Sequence, residues 1–147
     1  MNTALGELQR QAQSGSVEDS ITMAVAWNAS GTHIAGAMSD GQAVLWDAQG
    51  ELEGSDPVWQ VAAHSLMPGV PAEVWAVEFS ASDPHSLWTG GDDATMKRWD
   101  TREHSARAAV TCKEHTMGVC TIAAHPSQDH ILGTGCYDGQ FRVRECS

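Results

Sequence analysis

Three aspartates in this chain each stand six positions ahead of a dipeptide that closes a β-type run. Asp40 precedes Trp46-Asp47, Asp93 precedes Trp99-Asp100, and Asp138 precedes Arg144-Glu145. The flanking residues repeat as well. Residues 24–31, 32–38 and 41–47 form one set, residues 74–80, 86–91 and 94–100 a second, and residues 118–126, 130–136 and 139–145 a third. Each set is three short runs with β-branched or aromatic residues, parted by Gly, Ser, Asp, Asn or Pro, which is the pattern of strands joined by tight turns. Trp46 and Trp99 lie 53 positions apart and Trp99 and Arg144 lie 45 apart, so the longer unit carries an insertion, around residues 66–71.

A strand-rich unit recurring at this period predicts an all-β chain, a WD-repeat β-propeller. In such a blade the turn aspartate, a strand hydroxyl, a histidine entering the blade and the strand tryptophan join in one hydrogen-bonded set. The second repeat offers all four as His64, Thr89, Asp93 and Trp99. The third has His115, Thr134 and Asp138 but Arg144 in place of the tryptophan, and the first keeps Asp40 and Trp46 with Gly36 where the hydroxyl belongs. A buried polar network stabilises only when each member is satisfied, so the second blade is expected to be the best ordered.

A propeller closes with roughly four to eight blades, whereas 147 residues supply about three four-stranded antiparallel ones, the last lacking its outer strand. The expected organisation is a polar tail over residues 1–20 and an incomplete propeller over residues 21–147. Its blades fall near residues 21–63, 73–112 and 117–147. An open arc exposes the apolar flanks of its end blades, so a fragment, or self-association through those flanks, is expected. The net charge of −11, with eight scattered Lys and Arg, argues against nucleic acid as a partner. Residues 1–20 contain no apolar run, which points to neither a signal peptide nor a membrane span. Cys112, Cys120, Cys136 and Cys146 form no CxxC pair and read as reduced thiols of a cytoplasmic protein.

The third repeat carries less generic residues. The stretch 114–120, Glu-His-Thr-Met-Gly-Val-Cys, followed by 130–138, His-Ile-Leu-Gly-Thr-Gly-Cys-Tyr-Asp, resembles the diphthine methyl esterase family of WD-repeat proteins. Gly90-Gly91-Asp92-Asp93, residues 98–102 and the run from Glu73 to Ala76 are similar to the preceding blade of that family. The resemblance implies hydrolysis of the methyl ester of methylated diphthine, in the pathway that makes diphthamide. It also implies translation elongation factor two as the protein substrate. The competing expectation, from fold alone, is a noncatalytic scaffold that presents loops to protein partners.

Ester hydrolysis needs an activated nucleophile or water and donors for the oxyanion. The chain has no G-x-S-x-G elbow, which leaves His115 and Cys120 as candidate base and nucleophile beside Gly118, where a missing side chain lets a ligand approach the backbone. The alternative makes His115 the structural histidine of its blade and Cys120 a strand residue. With Arg144 in the tryptophan position, Asp138 is expected to pair with Arg144 and leave the imidazole less constrained. Glu73 and Trp75 fall on one side of a strand by its period of two and could form a wall for a cationic group; the alternative is that the tryptophans fill space between blades. Cys112, His115, His125 and His130 lack zinc spacing, so no metal is expected, and no cofactor motif is present.

Overall fold

The computed structural model describes residues 20–50 and 56–146. The expected tail lies, apart from its last residue, outside the described residues. Three antiparallel sheets follow one another along the chain. Blade one is β1 (Thr22–Trp27), β2 (His33–Met38), β3 (Gln42–Asp47) and β4 (Trp59–Ala62), in that spatial order. A hairpin of β5 (Ser65–Met67) and β6 (Val70–Pro71) then occupies the insertion. Blade two is β7 (Val74–Phe79), β8 (Ser86–Gly91), β9 (Met96–Asp100) and β10 (Val110–Cys112). Blade three has three strands, β11 (Val119–Ala124), β12 (Ile131–Cys136) and β13 (Phe141–Glu145). This is an all-β, incomplete WD-type propeller. Among the described residues no helix is long and apolar enough to cross a membrane.

The recurring aspartate has a local cause. Each stands in the turn between second and third strands, where its carboxylate accepts the amide two residues on: Gln42 N to Asp40 at 3.1 Å, Thr95 N to Asp93 at 3.1 Å, and Gln140 N to Asp138 at 2.9 Å. The residue between them takes a left-handed backbone, Gly41 at φ 88°, Ala94 at φ 62° and Gly139 at φ 80°. A side chain that closes its own turn, followed by a residue with positive φ, makes the tight reversal that the strand pairing needs.

Two apolar seams hold the blades together. Small residues of blade one (Ala35, Ala37, Ala43) receive large ones of blade two (Val77, Phe79, Leu87). Between blades two and three, Trp88 and Met96 meet Val119, Ile122 and Leu132. Gly90 is required in the second seam, because a Cβ there would stand 2.6 Å from the Val119 side chain. Burying a side chain such as Leu87 or Leu132 contributes on the order of 2 kcal/mol. The outward faces of the inner strand of blade one and the last strand of blade three are open: Val25 is 58% and Trp27 51% exposed, Phe141 74% and Val143 65%.

Candidate functional site

In blade two the loop after β4 brings His64 under the β8–β9 turn. Its Nδ1 lies 2.9 Å from Asp93 Oδ1, its Nε2 lies 2.8 Å from Thr89 Oγ1, and Trp99 Nε1 donates to the same Thr89 oxygen at 2.9 Å. Thr95 Oγ1 adds a further bond to Asp93 at 2.8 Å. His64, Thr89 and Trp99 are buried. Burial pulls the Asp93 carboxyl upward, yet the hydrogen bonds and charge of His64 and the bonds from Thr95 outweigh it and hold Asp93 below its ordinary range.

Blade three begins the same way and then departs. His115 is buried and its Nε2 lies 3.0 Å from Thr134 Oγ1, while its Nδ1 has no partner. Asp138 does not pair with Arg144, which corrects that expectation. Arg142 Nη2 donates to it at 2.7 Å and Thr116 Oγ1 at 2.7 Å, and Arg144 forms an ion pair with Glu114. Register explains the choice. Arg142 stands opposite Thr134, one rung from the end of the ladder beside the turn, whereas Arg144 stands opposite Leu132, two residues farther along β13. Burial, with the positive charges of Arg142 and Arg144, depresses the His115 imidazole below its ordinary value. Cys120 points elsewhere: its thiol contacts the Gly118 carbonyl at 3.7 Å, and burial, with Cys136 and Asp138 nearby, pushes it upward. No hydrogen bond joins His115 to Cys120 in the arrangement described.

Glu73, Trp75 and Gly118 do come together. Trp75 Nε1 donates to Glu73 Oε2 at 2.8 Å, fixing the indole at the start of the inner strand of blade two. A Cβ on Gly118 would fall 2.3 Å from the Trp75 ring, so the space that the glycine leaves is filled by this indole. Tyr137 packs against the indole with ring centroids 5.9 Å apart and remains 68% exposed. Trp75 and Tyr137 both line two concavities. One, of about 660 Å³, opens towards Leu66, Asp92, Lys113 and Met117. The other, of about 390 Å³, is bounded also by Met23, Glu73 and Cys120. Tyr137 and Met117 lie in the stretches that carry the family resemblance but are not among the candidate site residues. The available signal was an aromatic residue immediately before the turn aspartate, where the other repeats have Ser39 and Asp92. Among the described residues no three His, Cys, Asp or Glu side chains converge as a metal site.

Comparison with known proteins places this geometry in context. The model of the WD domain, G-beta repeat, matches residues 9–47 and 107–144, more than half of the chain. A Homo sapiens protein named diphthine methyltransferase is 44% identical over 66 residues, covering 45% of this chain and 14% of that protein. Its Mus musculus counterpart is 37% identical over 98 residues, covering 63% and 20%. A guanine nucleotide-binding protein subunit beta of Solanum tuberosum is 34% identical over 112 residues, covering 76% and 28%. The matched part of the chain thus spans a minor share of each relative's length. These names correct the expectation of a diphthine methyl esterase and, with it, of a carboxylic ester hydrolase: the relatives with the diphthine name are named for methyl transfer, and the others as subunits of a G protein. The repeat match, the turn aspartates and the blade sheets together show that the chain belongs to the WD-repeat family.

Proposed function

We propose that this chain is a noncatalytic WD-repeat binding module, which presents the Trp75–Tyr137 mouth to a protein partner in the cytoplasm. The observation that carries this reading is the placement of large apolar side chains outside both interblade seams. Tyr137 is 68%, Leu66 55% and Met117 45% exposed, and all line the concavity walled by Trp75. Aromatic and methionine side chains are the residues that anchor protein interfaces, and most of what a propeller fold does is decided by such grafted surfaces. The relatives named as G-protein subunits support a scaffold, and those named for diphthine support a partner that carries diphthine; the partner proposed is translation elongation factor two, as the resemblance of the third repeat implies.

Fluorescence titration of the chain with purified elongation factor two tests it, read on tryptophan emission. Binding should weaken at least tenfold in Trp75→Ala and Tyr137→Ser while the melting temperature of Tyr137→Ser stays near the parent value. Equal affinity of parent and variants, or no binding by the parent, rejects the reading. The open flanks at Val25, Trp27, Phe141 and Val143 favour a second contact, association of copies flank to flank. Sedimentation of the parent beside Phe141→Glu checks it, with a monomeric parent as the contrary result.

A further inference from the structure

The four cysteines are free thiols, yet two of them face each other across the seam of blades two and three. Cys112 Sγ and Cys146 Sγ lie 3.4 Å apart. Both backbones are anchored: Cys112 pairs with Met96 at the end of β10, and the Cys146 amide donates to the His130 carbonyl at 2.7 Å. Both thiols border the same apolar cluster, with Cys146 buried in it and Cys112 partly exposed at its rim. The remaining pair is held differently. Cys120 contacts the Gly118 carbonyl and Cys136 the Met117 carbonyl at 3.3 Å, so each of these thiols is turned to a backbone acceptor. Shortening the Cys112–Cys146 contact to a covalent bond of ~2.05 Å asks for a movement of about 1.4 Å, within reach of side-chain rotation.

We propose that Cys112 and Cys146 close a reversible disulfide that clasps blade two to blade three, formed by exchange with a small disulfide of the glutathione type. The partly exposed Cys112 reacts first. It loses its proton to solvent, and its sulfur attacks one sulfur of the oxidant, forming a mixed disulfide and releasing one thiolate. Cys146 then loses its proton and attacks the Cys112 sulfur, which forms the Cys112–Cys146 bond and releases the second thiolate. The two cysteines give up two electrons, and the oxidant is reduced to two thiols. Burial and the neighbouring Cys112 thiol push Cys146 up to about 12, which leaves Cys112 as the sulfur that reacts first; in the mixed disulfide Cys112 no longer carries the thiol that raises Cys146. The clasp spans the seam on which Trp75 of blade two meets Gly118 of blade three, so oxidation stiffens the support of the mouth.

The test uses the full chain, equilibrated in buffers of varied reduced and oxidised glutathione, alkylated and digested with trypsin without reduction. The expected product links the peptide of residues 108–113 to that of residues 145–147. It should vanish in Cys112→Ser and in Cys146→Ser and persist in Cys120→Ser. The oxidised chain should melt roughly 5–10 °C above the reduced one, because the closed loop restricts the unfolded state. A Cys120–Cys136 linkage instead, a mixed disulfide on Cys112 that never resolves, or no linkage at any glutathione ratio would each overturn the proposal.

Discussion

In blade two the turn aspartate reaches the histidine of the preceding loop, and in blade three the corresponding aspartate turns to an arginine. Asp93 bonds His64, which bonds Thr89, which accepts the Trp99 indole, so four side chains separated in sequence close one continuous chain of hydrogen bonds. In blade three only the His115–Thr134 link survives, and Asp138 is held by Arg142 and Thr116. Both blades have the same strand order over their first three strands. The difference teaches that the shared backbone of a blade comes from its turn and its apolar seams, while the polar network is a separate reinforcement that one substitution can dismantle.

The largest expected effect breaks that comparison at its centre. His64→Ala removes the buried side chain that links Asp93 to Thr89, leaving Asp93 with Thr95 and Thr89 with the Trp99 indole. The expected loss is about 3 kcal/mol, from two buried hydrogen bonds, one of them to a carboxylate, and a small cavity. His115→Ala removes one hydrogen bond and strands only Thr134, since Asp138 keeps its arginine, and should cost about 1 kcal/mol. Urea denaturation of both variants measures the gap. Equal losses would mean that blade three depends on its histidine as fully as blade two does.

A pH titration sharpens the comparison with a smaller effect. His115 in the fold has a depressed pKa, whereas in the unfolded chain it titrates near its ordinary 6.5. Between the folded value and 6.5 the unfolded state holds more protons, so stability rises with pH through that window and gains nothing further above it. Asp93 works in a different window. Its lowered folded pKa contributes stability that is present above its ordinary 3.8 and lost as pH falls below it. Acidification should therefore weaken blade three first and blade two later, followed by urea melts at stepped pH. His115→Gln should remove the first component and leave the second. Arg142→Met, which takes away a positive charge that depresses the imidazole, should move the His115 titration upward when read by proton NMR. A His115 that titrates at the same pH with and without Arg142 would leave burial and Arg144 as the causes.

Much of the fold was legible because its signals are local. An aspartate two residues before the amide it caps, with a glycine between in two turns of three, needs no tertiary context to be read. The insertion likewise announced itself by spacing and became the β5–β6 hairpin. The site was less legible, because its contacts cross between blades. Arg142 and Arg144 alternate onto one face of β13, and sequence alone does not say which of them captures Asp138; that depends on cross-strand register. The space at Gly118 is set by an indole from the neighbouring blade. Tyr137 became visible as a site residue only once the turn before Asp138 was seen beside Trp75. The stretch around His115 pointed towards the diphthine-named relatives and away from their named reaction, since residues that reinforce a blade identify similar chains without specifying chemistry.

The smallest effect concerns the one turn in which the two blades' roles reverse. Blade three places Gly139 at the left-handed position, whereas blade two, with the fuller network, places Ala94 there at φ 62°. A Cβ at positive φ costs roughly 1 kcal/mol relative to glycine, offset in part because alanine limits the unfolded chain. Ala94→Gly should therefore raise stability by about 0.5 kcal/mol, with the Asp93–Thr95 bonds retained. Thermal melts resolve a change of this size when parent and variant are run side by side. A loss on substitution would mean that the Ala94 methyl, which lines the concavity beside Trp75, makes a contact worth more than the backbone strain. Blade two would then tolerate its strained turn for the sake of the surface that the turn presents.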